Sequence, residues 1–223
     1  MIDLLKKNKF LWSIVSYILR FNYSFFWKYR DLETLDEKES LKTYLEDEIL
    51  LNFFNNKPDE NLKIIELGCG YGLRLFNLKE IKKNYLLSGY DINKRYIDFA
   101  KKYDNKKKMK IEFFEKKIED IKLNEDTDYI ISSFTLIYLK NLQIIKFFLN
   151  NKDRIKKGFI FIEYHSEHKS KNLSYYVHNF KKIFESSNLE NFKIEFKKIN
   201  YKRWIKEDHE AYKIIGNVNK NEN

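Results

Sequence analysis

The chain of 223 residues is long enough for one domain with a full hydrophobic core and needs no second one. Its single cysteine, Cys69, excludes a disulfide framework and a thiolate metal site, so no metal is expected and a reducing, cytoplasmic setting is the default. The net charge of +10 (43 Lys and Arg against 33 Asp and Glu) would suit nucleic acid or an anionic membrane surface, but the basic residues are scattered and form no recognisable nucleic-acid module, so nucleic acid is not the favoured partner.

At the N-terminus Lys6, Lys7 and Lys9 precede the apolar stretch Phe10 to Leu19 in the manner of a secretory signal. No small-residue cleavage site follows, Arg20 interrupts the run, and about ten apolar residues fall short of the roughly 20 that span a bilayer. The expectation is a retained helix with no transmembrane segment. Its aromatics Trp12, Tyr17, Phe21, Phe25 and Phe26 would pack on the domain, cover a substrate or rest on a membrane surface. Thr34 to Phe54 carries Leu35, Leu41, Leu45, Ile49 and Leu50 near helical spacing and predicts an amphipathic helix ending before Pro58. Residues 1–55 therefore read as a helical cap.

Strand-like and helix-like segments then alternate. Strands are predicted over Lys63–Leu67, Tyr85–Tyr90, Met109–Phe114, Tyr129–Ser132 and Gly158–Glu163, with helices over Leu73–Lys83, Lys94–Tyr103 and Leu142–Ile155. A helix at Ser174–Ser187 and strands at Phe192–Ile199 and Ala211–Gly216 follow, and 217–223 reads as a polar tail. This alternation predicts an α/β domain over 56–216, doubly wound and Rossmann-like, with a mostly parallel sheet covered by helices on both faces. Ligands in such sheets bind at the carboxyl ends of the strands.

The first of those ends carries Ile64-Ile65-Glu66-Leu67-Gly68-Cys69-Gly70-Tyr71-Gly72, a strand running into glycines at alternate positions. Such a turn admits a ligand close to the backbone. The dinucleotide fingerprint needs its third glycine one residue later, where Leu73 stands. A carboxylate at Glu66 would also oppose a pyrophosphate and suit an ammonium or sulfonium. Asp91, 19 residues past Gly72 at the end of the second strand, can accept both hydroxyls of a ribose or act as a helix N-cap, as can Asn93.

The pattern Glu-x-Gly-x-Gly-x-Gly after a strand resembles motif I of the class I S-adenosylmethionine-dependent methyltransferases. That resemblance, covering about residues 60–216, implies seven strands in the order 3-2-1-4-5-7-6 with the seventh antiparallel. It implies S-adenosylmethionine as cofactor and S-adenosylhomocysteine as product, held by Glu66, Gly68, Cys69, Gly70, Gly72, Asp91, Ile92, Ile118, Glu119 and Ser133. Asp91 would take the ribose and Ile92 the adenine ring. Lys117 stands where many members place an acid for the adenine amino group, so the backbone N–H of Ile118 remains and Glu119 or Asp120 is left to supply the acceptor or to cap the following turn.

With Pro58 the only proline, the Asp/Asn-Pro-Pro-aromatic motif of amine-modifying DNA and protein-glutamine enzymes is absent after the fourth strand. C5-cytosine chemistry is excluded because the only cysteine is at 69. The resemblance thus points to a small acceptor, a metabolite or glycan precursor methylated on oxygen or nitrogen. An RNA methyltransferase, a catalytically silent partner subunit and, more distantly, an NAD-dependent enzyme are the alternatives. A base is needed if the acceptor must lose a proton. His165, in the segment after the fifth strand, leads, followed by His178 and Tyr138. Tyr23, Trp27, Tyr29 and Trp204 are candidate aromatics of the acceptor pocket, or core.

Overall fold

Ile64 and Ile65, Ile130 and Ile131, and the run Phe159 to Ile162 are consecutive apolar residues that are all 3% exposed or less, so the strands carrying them are covered on both faces. The computed structural model describes residues 23–29, 44–58, 60–168, 175–201 and 210–219. In chain order the elements are α1 (Tyr23–Tyr29), α2 (Leu45–Asn55), β1 (Lys63–Leu67), α3 (Leu73–Ile81), β2 (Leu86–Asp91), α4 (Lys94–Lys107), β3 (Glu112–Glu115), β4 (Thr127–Ser133), α5 (Asn141–Asn151), β5 (Ile155–Tyr164), α6 (Phe180–Ser186), β6 (Phe192–Ile199) and β7 (Ala211–Val218).

One seven-stranded sheet results, in the order β3-β2-β1-β4-β5-β7-β6, with β7 antiparallel to both its neighbours and the other pairings parallel. This is the predicted order. Alternate residues of each strand feed two cores. Ile64, Ile131, Ile160 and Ile162 join Leu50 and Phe54 of α2, Leu75 and Leu78 of α3, and Ile97 and Ala100 of α4 on one face. Ile65, Leu67, Ile130, Phe159 and Phe161 join Phe147 and Phe148 of α5 and Phe180 and Phe184 of α6 on the other. The chain reverses its direction of travel across the sheet between β1 and β4, and the carboxyl ends of those strands open the crevice where such folds take ligands.

Several boundaries differ from the periodicity. β3 starts at Glu112 rather than Met109, because Lys108 and Lys110 adopt left-handed φ of 57° and 62° that interrupt any extended run. α5 stops at Asn151, and β5 starts at Ile155, where a helix was expected to end. α6 begins at Phe180 instead of Ser174, with Asn179 accepting from Lys182 N as its cap. β7 runs through Val218, so Asn217 and Val218 belong to the sheet and not to a tail. The expected helix around Phe10–Leu19 and residues 34–43 of the amphipathic helix lie outside the described residues. No described helix is long and apolar enough to cross a membrane.

Candidate active site

β1 ends by handing its chain to β2: Gly68 N and Cys69 N both donate to Tyr90 O, at 2.7 and 3.0 Å. The turn that follows needs glycine at Gly68, whose φ is +69° and where a Cβ would stand 2.1 Å from Thr135 Cγ2. At Gly70, φ is +54° and a Cβ would meet nothing within 4 Å, so that face of the loop is open. Gly70 N donates to Asp91 Oδ2 at 2.9 Å and Asn93 N to Asp91 Oδ1 at 2.8 Å, which fixes the carboxylate beside the open glycine. Burial raises the Asp91 pKa, opposed by backbone N–H groups of Asn93, Gly70 and Ile92.

Around this pair lies a cleft of about 780 Å³, part of it open solvent. Gly68, Gly70, Asp91, Ile92 and Tyr96 form one wall, and Lys116, Lys117, Ile118 and Glu119, following β3, form the next. Phe134, Thr135, Tyr138 and Leu139, following β4, close it with Trp27 from α1. Trp27 is placed by two contacts: its carbonyl accepts from Asn93 Nδ2 at 2.8 Å, and its ring lies 4.8 Å from that of Tyr138. Glu119 is steadied by Gln143 Nε2 at 2.7 Å, whereas Asp120 turns away to an exposed pair with Lys146.

The cleft gathers Gly68, Gly70, Asp91, Ile92, Ile118, Glu119, Tyr138 and Trp27 from the expected residues. It does not include Glu66. That side chain is fully buried and ion-paired with Arg74, whose Nε also donates to Asp47 Oδ1 at 2.8 Å. Burial pushes the Glu66 pKa up to about 7 against the pull of Arg74. The negative mouth expected of Glu66 is therefore neutralised by a partner eight residues on, and the choice of ligand rests on Gly70 and Asp91. Cys69, Gly72 and Ser133 also stand off the cleft wall. Cys69 packs against Gly89, and a Cβ at Gly72 would run 2.7 Å from Phe113.

The two candidate histidines, His165 and His178, are both buried away from the cleft. His165 is 6% exposed, lies against Phe196 and Tyr212 of β6 and β7, and its Nδ1 accepts from Phe180 N at 3.2 Å. His178 is 2% exposed, with Nε2 2.9 Å from Leu136 O and Nδ1 2.7 Å from the side-chain amide of Asn141. The Asn141 atom facing Nδ1 is the amide oxygen Oδ1, and burial lowers the His178 pKa to about 4, opposed by the bond to Leu136. Neither lines the cleft. Tyr29 does not line it either, and the Tyr23 side chain and Trp204 lie outside the described residues. The periodicity does not mark Thr135, Tyr96, Leu139 or Phe134 as cleft residues. Thr135 carried a readable signal, its place directly beyond a strand end beside β1.

A family model described as a methyltransferase domain matches residues 58–214. The chain belongs to this family. A ubiquinone biosynthesis O-methyltransferase of Pelagibacter ubique (strain HTCC1062) is 27% identical over 124 residues, 53% of this chain and 50% of that protein, so the match spans about half of that relative's length. Among solved structures, magnesium protoporphyrin IX methyltransferase from Synechocystis PCC 6803 with bound SAM superposes with a TM-score of 0.59 at 14% identity, covering 77% of each chain. A phosphoethanolamine N-methyltransferase 2 of Haemonchus contortus, in complex with phosphomonomethylethanolamine and S-adenosylhomocysteine, gives 0.63 at 14% identity, covering 78% of this chain and 52% of that one. At such identities these neighbours share the fold of this methyltransferase domain.

Proposed function

We propose that the protein transfers a methyl group from S-adenosylmethionine to an oxygen or nitrogen of a small acceptor, releasing S-adenosylhomocysteine. The observation that carries this reading is the Asp91 carboxylate held beside the open face of Gly70. A nucleoside fits it: carboxylate oxygens accept the two ribose hydroxyls, and a residue without Cβ lets the ligand approach the loop. Ile92 and Ile118 would flank the adenine, with Glu119 as acceptor for its amino group and Lys116 and Lys117 at the rim.

When bound, the cofactor supplies an electrophilic methyl on a sulfonium, already a good leaving group. The chain's own task is then to align the acceptor and exclude water. Trp27, Phe134 and Tyr138 form the apolar wall suited to that, and α1 contributes Trp27 as part of a cap that governs acceptor choice. Of the three residues read from the sequence as bases, Tyr138 alone lines the cleft, and we assign it the proton when the acceptor must lose one.

Titration calorimetry tests the reading. Saturable binding of S-adenosylhomocysteine is expected, weakened about 10- to 100-fold in Asp91→Ala, as loss of hydrogen bonds to a charged group requires. Absence of binding by folded protein, or indifference to the substitution, sinks it. Assay of O- and N-acceptors with labelled cofactor then fixes the atom that is methylated.

A further inference from the structure

Turns that follow β4 in this sheet carry Thr135 and Tyr138 into the cleft, and this one is built against a backbone preference. Phe134 has φ of +46°, the left-handed region that a bulky residue rarely adopts. Something outside the turn must hold it. Phe134 N donates to Ile162 O of β5 at 2.9 Å. One residue on, the fully buried Glu163 extends Oε1 into hydrogen bonds from Thr135 N and Leu136 N at 3.1 Å each and from Ser132 Oγ at 3.0 Å.

The single turn Leu136–Tyr138 has no capping hydrogen bond from its own side chains, so Glu163 acts as its cap from another strand. The carbonyl end of the same turn is held from a second direction. His178 Nε2 bonds Leu136 O at 2.9 Å, and Tyr176 N donates to Ile137 O at 2.7 Å. Downstream of the clamp, Thr135 presses on Gly68, where its Oγ1 lies 3.4 Å from the carbonyl oxygen.

We propose that Glu163 and His178 are positioning residues that clamp the turn 134–139 from its N–H and C=O ends, and so set Thr135 against the glycine loop and Tyr138 in the wall of the cofactor cleft. The proposal rests on the reading of that cleft as a cofactor site. Glu163 is otherwise a burden to the fold: among the described residues its buried Oε2 has no hydrogen-bond partner. A carboxyl retained at such a cost is accounted for by the two N–H groups it satisfies.

Amide hydrogen exchange and titration calorimetry on the full chain decide it. In Glu163→Ala the amides of residues 134–139 are expected to exchange at least about tenfold faster while those of Ile130 and Ile131 in β4 keep their rate, and S-adenosylhomocysteine affinity falls about tenfold or more. Glu163→Gln, whose carbonyl oxygen keeps the acceptor, restores both to within about threefold. Where the alanine variant does not fold, His178→Ala carries the test from the other end of the turn with the same selective loosening. Unchanged exchange at 134–139, or glutamine behaving like alanine, overturns the clamp. Wild-type protein that binds no S-adenosylhomocysteine refutes the cofactor reading, and the exchange result still judges the clamp.

Discussion

Gly68 and Gly70 share a left-handed backbone but not a neighbourhood. A methyl at Gly68 meets Thr135 at 2.1 Å, whereas one at Gly70 meets nothing within 4 Å. Both alanine variants incur the left-handed cost of about 1–2 kcal/mol, and Gly68→Ala adds a forced shift of the Thr135 turn. Gly68→Ala should therefore lower Tm by roughly 5–15 °C in calorimetry. Gly70→Ala should lose less in stability but about tenfold in S-adenosylhomocysteine affinity, since its methyl enters the space the ligand needs. Equal binding by Gly70→Ala and wild type would place the ligand elsewhere. The left-handed turn at the alternate glycines and the place of Asp91 beside it were legible because both follow from backbone conformation and from one carboxylate at a strand end. Glu66 was not: its charge is visible in the sequence, but its neutralisation by Arg74 and the link to Asp47, 27 residues before that arginine, exist only in the fold. The same holds for His165 and His178, whose side-chain type suggested a base and whose burial away from the cleft exists only in the fold.

At the scale of elements, the strands buried on both faces were readable as short apolar runs, and their order followed from the family resemblance. Misread stretches are those where a single local interaction overrides periodicity. Residues 175–179 have aromatics at plausible helical spacing, yet they run as a strap along the Leu136–Tyr138 turn, and Asn179 was the visible start signal of α6. The two ends of that strap and turn also titrate in opposite directions. Burial raises the Glu163 pKa from an ordinary 4.5 to about 7, so its contribution to stability is full below about pH 4.5 and is lost as pH rises to about 7. Burial lowers the His178 pKa from 6.5 to about 4, so its contribution is full above about pH 6.5 and is lost as pH falls through about 4. Urea unfolding across pH 4–8 should show Glu163→Gln gaining on wild type as pH rises through that window, and His178→Gln gaining as pH falls. Parallel curves for either variant would mean that the group is solvated in the native state.

At the scale of the molecule, the question is what fastens the N-terminal α2 to the sheet next to the cofactor loop. Apolar packing by Leu50 and Phe54 is one part. The other is a buried ionic group: Asp47 of α2 accepts from Tyr44 N and from Arg74 Nε, Arg74 of α3 also pairs with Glu66 of β1, and Glu46 accepts from Tyr201 Oη beyond β6 at 3.2 Å. One guanidinium thus joins α2, the strand that launches the glycine loop and the helix that follows it. Removing one partner of such a set leaves charges uncompensated in a dry interior, typically a loss of about 3–5 kcal/mol. Arg74→Leu should therefore lower Tm by roughly 6–20 °C, far more than an exposed pair such as Lys94–Asp98 would on losing a partner. Adding Asp47→Asn and Glu66→Gln to Arg74→Leu removes the stranded charges, and calorimetry should show much of the loss recovered. If Arg74→Leu alone costs less than about 1 kcal/mol, the group is screened by water. The attachment of α2, and with it the cap proposed to choose the acceptor, would then rest on its apolar packing, led by Leu50 and Phe54.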